Sequence, residues 1–71
     1  MAMDTTQEYN LEMLLDNSTL SNLLESLETI CYAKAEHLRS NWQDQSTGAL
    51  WEVAGKSVGR LMHHPFIQAV S

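Results

Sequence analysis

The chain has 71 residues, a net charge of −5 and one cysteine, Cys31. A chain this short folds as one domain with a thin core, burying only about 60% of its unfolded surface, and a lone cysteine excludes the internal disulfide that often reinforces small scaffolds. The acidic balance argues against a phosphate-backbone binder, and no apolar run approaches the length of a bilayer span.

The opening "MAMDTTQEYN" lacks the basic and apolar regions of a secretory signal, so a soluble, cytoplasmic protein is expected. The following "DTTQEYNLEMLLD" sets Leu11, Leu14 and Leu15 on one side of a short helix. Asp4, Glu8, Glu12 and Asp16 recur every four residues, which stacks four carboxylates on one stripe. Each like-charge pair at that spacing costs roughly a few tenths of a kcal/mol. Such a helix is weakly held unless something docks against it. No lysine or arginine precedes Lys34, so the front end is purely acidic.

"DNST" then offers Asp16, Asn17 and Ser18 as caps for a long helix. Leu20, Leu24, Leu27, Cys31, Leu38 and Trp42 fall at helical spacing, with Leu23 and Ile30 widening the stripe and Ala35 filling it. Neither glycine nor proline interrupts Leu20 to Trp42, which predicts a helix of roughly six turns over about 18–43. "SNWQDQSTG" supplies breakers, with Asp44 or Ser46 as the next cap and room only for an antiparallel return. A second helix is expected over about 46–64, carrying Leu50, Trp51, Ala54, Val58, Leu61 and Met62. It stops at "HHP", where Pro65 disfavours helix at His64. The apolar "FIQAVS" either folds back as a clasp or frays; residues 1–10 are the other candidate for a frayed tail.

Gly55-Lys56-Ser57 matches the end of a phosphate-binding loop, but that loop needs a glycine where Leu50 stands, and a strand before it. Packing accounts better for the glycines: Gly55 and Gly59 are four apart beside Ala54, and small residues let helix backbones approach closely. Lys56 and Arg60 form a basic strip on another side, placed to meet the acidic front end. His37-Leu38-Arg39 resembles the phosphoacceptor stretch of histidine-kinase dimerisation domains, without the acidic residue after the histidine or the bending proline. "DNSTL" resembles the Asp-Ser-Leu attachment motif of acyl carrier proteins, interrupted here by Asn17 and Thr19, so Ser18 is read as a cap. Adjacent His63 and His64 point to different sides of a helix and make no metal pair. No nucleophile has an evident base beside it in sequence, so no catalytic, cofactor-binding or metal-binding residues are expected.

Trp42 and Trp51 bracket the turn and are expected to pack together across it. The expected architecture is all-α: a single domain, 1–71, built as an antiparallel helical hairpin preceded by a short acidic helix. Leu23, Ile30, Leu50 and Val53 would stay partly wet in a monomer, which predicts a homodimeric four-helix bundle or a hairpin completed by another protein. Packing and dimer contacts are assigned to Leu20, Leu24, Leu27, Cys31, Leu38, Trp42, Trp51, Ala54, Gly55, Val58, Gly59 and Leu61. The expected function is a non-catalytic interaction module (regulator, adaptor or assembly factor) that binds a protein partner, with no direct nucleic-acid or membrane contact. Its charged contacts would be Asp4, Glu8, Glu12, Asp16, Lys56 and Arg60. The alternatives are an acidic mimic that occupies a nucleic-acid-binding site on another protein, and a phosphotransfer domain using His37.

Overall fold

The computed structural model describes residues 3–70, and all the regular structure among them is helical. Four helices follow in order: α1 (Thr5–Asp16), α2 (Leu20–Asn41), α3 (Gln45–Met62) and α4 (Pro65–Ala69). α2 and α3 pack side by side as the expected antiparallel hairpin, α1 touches the other helices only at α2, and α4 tucks against both hairpin arms.

Each helix start has a local cause. Asp4 closes a capping box with Gln7: its carboxylate accepts from the Gln7 amide at 2.8 Å, and the Gln7 side-chain carbonyl accepts from the Asp4 amide at 3.1 Å. α2 starts two residues later than the sequence suggested. Its cap is Thr19, whose Oγ1 accepts from the Asn22 amide, rather than Asp16, Asn17 or Ser18. The reason is that Asn17 and Ser18 are used in ending α1, their amides bonding back to Met13 and Leu15. The α2–α3 turn is tight, with the amides of Trp42 and Asp44 both donating to the Leu38 carbonyl. Gln43 between them takes φ 53°, a left-handed conformation unusual for a residue with a side chain. Asp44 caps α3 through the Thr47 amide.

α3 ends at Met62, two residues short of the expected boundary, because His64 precedes Pro65 and is extended with ψ 135°. His64 then caps α4, its Nδ1 accepting from the Phe66 amide, with Pro65 at the first helical position, where its missing N–H costs nothing. The stretch 66–69 is thereby helical, as is 5–10; residues 1, 2 and 71 lie outside the described residues.

The hairpin seam is made mainly of small residues. Leu24, Cys31 and Ala35 are its buried apolar positions on α2, and Gly48 and Gly55 are buried on α3. The seven-residue steps from Leu24 to Cys31 and from Gly48 to Gly55 keep the seam on one side of each helix, as in a coiled coil. Gly48 faces the α2 backbone. A Cβ there would lie 3.2 Å from the Ala35 backbone oxygen and 3.0 Å from Arg39 Cγ. Gly55 lies under the Tyr32 ring and Gly59 faces the Glu28 carboxylate, so at both positions α3 meets a side chain of α2 rather than its backbone.

This seam encloses little. Apolar side chains are buried only at Leu24, Cys31 and Ala35 among the described residues. The Cα radius of gyration is 14.0 Å, whereas a compact chain of this length would have about 11 Å.

Candidate interaction surfaces

The hairpin has two broad faces, set by which residues flank the seam. On one side Glu28 and Tyr32 of α2 stand beside Lys56, Arg60 and His63 of α3 around a shallow open hollow. Arg39 donates across the seam to Glu52, and Lys56 Nζ approaches the other Glu52 oxygen at 3.3 Å, one helical turn away. Hydrogen bonds from Arg39 and then Lys56 hold the Glu52 carboxyl below the usual carboxylate range. Arg60 donates to Ser57 Oγ on its own helix. This polar face therefore satisfies much of its charge within one chain.

The opposite face is apolar. On α2 it carries Leu20, Leu23, Leu27, Ile30 and Leu38; on α3 it carries Trp51, Ala54, Val58 and Leu61, with Leu50 at its edge. Ile30, Ala33, Lys34, His37, Leu38 and Trp51 line an open groove of about 520 Å³ between the two helices. Leu27, Ile30, Leu50 and Leu61 are all more than 40% exposed. The charge in this groove is Lys34, whose ammonium sits 5.4 Å from the centre of the Trp51 ring, within cation–π range.

The expected pairing of Trp42 with Trp51 is not what forms. Trp42 follows the last turn of α2 and swings back along its own helix, its indole Nε1 donating to His37 Nε2 at 3.1 Å. It is 70% exposed, while Trp51 lies half-buried on the apolar face. The physical reason is the turn: with Gln43 left-handed and Asp44 already capping α3, the chain reverses before the two indoles can face each other. The ring nitrogens of His37 are both held, since Asn41 Nδ2 lies 2.7 Å from Nδ1. An indole N–H only donates, so Nε2 is the accepting nitrogen of the ring.

Among the residues expected to pack, Leu24, Cys31 and Gly55 lie buried in the seam, and Leu20, Leu38, Trp51, Ala54, Val58 and Gly59 are half-buried. Leu27, Trp42 and Leu61 are exposed in the single chain. The acidic residues separate in role. The Asp4 carboxylate is engaged as the α1 cap, whereas Glu8, Glu12 and Asp16 are exposed along α1. α1 and α3 make no contact, so Lys56 and Arg60 do not meet the acidic stripe within one chain; Lys56 is paired with Glu52 instead. Asp44 is held below its ordinary range by hydrogen bonds from the Thr47 amide and hydroxyl.

The sequence reading missed the seam roles of Gly48, Glu28 and Glu52. Gly48 closes a stretch of breakers in sequence, and its seven-residue offset from Gly55 is the signal of its seam role. Among the described residues no group of three or more His, Cys, Asp or Glu side chains could hold a metal ion, and no helix is long and apolar enough to cross a membrane. Compared with protein-family models, curated proteins and solved structures, the chain matches none.

Proposed function

We propose that this chain is a non-catalytic protein–protein interaction module, a small regulator, adaptor or assembly factor working in the cytoplasm as a homodimeric four-helix bundle. One observation carries the reading: a hairpin that buries apolar side chains only at Leu24, Cys31 and Ala35 leaves Leu27, Ile30, Leu50, Val53 and Leu61 open to water on the same two helices. A hairpin so poor in core is completed by further helices, which is how four-helix bundles obtain theirs. The polar groups support the non-catalytic part through the work they already do. Asp4, Thr19, Asp44 and His64 cap helices, Arg39 and Glu52 tie the arms together, and His37 is held by its neighbours. Buried Cys31 suits a reducing compartment.

In this arrangement Glu8, Glu12 and Asp16 face outward on α1 and provide the contact to a basic partner protein. An acidic mimic of nucleic acid is the second reading, favoured by the same exposed stripe; strong loss of partner binding with rising salt distinguishes it from apolar docking. Thermal unfolding across a hundredfold range of chain concentration tests the bundle. Folding coupled to dimerisation makes the midpoint rise with concentration. A cooperative melt whose midpoint ignores concentration would sink the proposal.

A further inference from the structure

The structure assigns the dimer seam to one side of the hairpin: we infer that a second copy of this chain docks on the apolar face bearing Leu27, Ile30, Trp51, Val58 and Leu61, the two hairpins stacking face to face. This rests on the proposed self-association and adds which surface performs it.

The area is of the right size. The chain exposes 5547 Å², against roughly 4,500 Å² for a compact monomer of its mass. The surplus, about 1,000 Å², is comparable with the ~800 Å² that each partner contributes to a standard interface. α1 supplies part of it, because none of its residues is buried, and the open hairpin face supplies much of the rest.

The charge pattern then selects the occupant. A two-fold interface puts the same patch on both sides, so a self-pairing face must not confront itself with clustered like charge. Between Leu20 and Leu38, and between Trp51 and Leu61, the residues on this side carry one formal charge, Lys34, already seated over its own Trp51 ring. The other side presents Glu28, Arg39, Glu52, Lys56 and Arg60, and its central carboxylate is neutralised by partners in the same chain. An acidic or basic partner would find almost nothing to pair with on the apolar side. A second apolar face of matching length finds continuous burial: α2 has 22 residues, about 33 Å of helix.

The two tryptophans give the test, because Trp51 lies on the face and Trp42 does not. A Trp42→Phe variant leaves Trp51 as the sole indole, and acrylamide quenching is followed across the concentration range over which the chain associates. The expected result is a severalfold fall in the quenching constant of Trp51 as dimer forms. In the Trp51→Phe companion, quenching of Trp42 stays constant. Alongside, Leu27→Glu is expected to weaken dimerisation about 30-fold or more while helix content by circular dichroism persists, and Lys56→Glu on the polar face leaves the dimer intact. A wild-type dimer in which Trp51 quenching never changes and Leu27→Glu still dimerises overturns the assigned face but leaves self-association standing. A chain monomeric at every concentration overturns both and hands the face to a different protein. Should Leu27→Glu fail to fold, the Trp51 quenching decides alone.

Discussion

The two sides of the α2–α3 hairpin solve the same problem in opposite ways. On the polar side the arms are joined by directed bonds, Arg39 and Lys56 converging on Glu52. On the apolar side the arms share a groove whose walls, Ile30, Leu38 and Trp51, remain partly in water. Ion pairs open to water contribute little, whereas uncovered apolar area withholds about 25 cal/mol for every Å² left wet. The polar side is therefore finished within one chain and the apolar side is not. What the difference teaches is that one chain satisfies its charges across the seam while leaving large apolar side chains of the same two helices in water.

The largest test of that contrast compares the two tryptophans. Trp51→Ala is expected to cost about 2 kcal/mol or more, since it removes a large half-buried ring from the apolar face. Trp42→Ala, at an exposed site with one side-chain hydrogen bond, should cost well under half of that. Equal effects in denaturant titrations would erase the distinction between the faces. Next come the glycines. Gly48→Leu must displace the Ala35 backbone or the Arg39 side chain and is expected to destabilise the hairpin by about 1–3 kcal/mol. Gly59→Ala meets only the movable end of Glu28 and should instead gain up to about 1 kcal/mol from helix propensity. Melting midpoints that move the same way for both would show that the seam is looser than the Gly48 approach implies.

The smallest expected effect is on the polar side, and it depends on pH. Glu52 and Asp44 both titrate below their ordinary range in the folded chain, so the folded state binds fewer protons than the unfolded state as the pH approaches that range. Their stabilisation is full above the ordinary carboxylate range and is lost as pH falls through the lowered folded values. Stability measured by circular dichroism should decline between about pH 5 and pH 3. Glu52→Gln and Asp44→Asn should each flatten part of that decline. An unchanged slope in both variants would remove these two carboxylates as its cause.

The sequence made the long elements legible and the directions of their side chains much less so. Unbroken helical spacing from Leu20 to Trp42, and the cap at Asp44, are local signals that tertiary packing reinforced. The shift of the α2 cap to Thr19 depended on how α1 ends, which capping candidates alone do not reveal. α4 is too short, at five residues, to show a period; its signal is the cap-and-proline pair His64-Pro65. The Asp4–Gln7 capping box is legible as D-x-x-Q, overlapping the acidic stripe at Asp4. Trp42 and Trp51 went astray for a geometric reason, since proximity in sequence does not fix which way a tight turn aims its neighbours. The surplus of apolar residues was visible from the start. The gathering of most of it onto one side of the hairpin depends on the register of α3 on α2, where Gly48 lies against the Ala35 backbone.

The central claim, that a second copy completes the fold, is tested most directly by light scattering coupled to gel filtration over a concentration series. The expected mass is twice the 8.0 kDa of the chain, falling toward one chain only on strong dilution. A mass of 8.0 kDa at every concentration, with the helices intact, would contradict it.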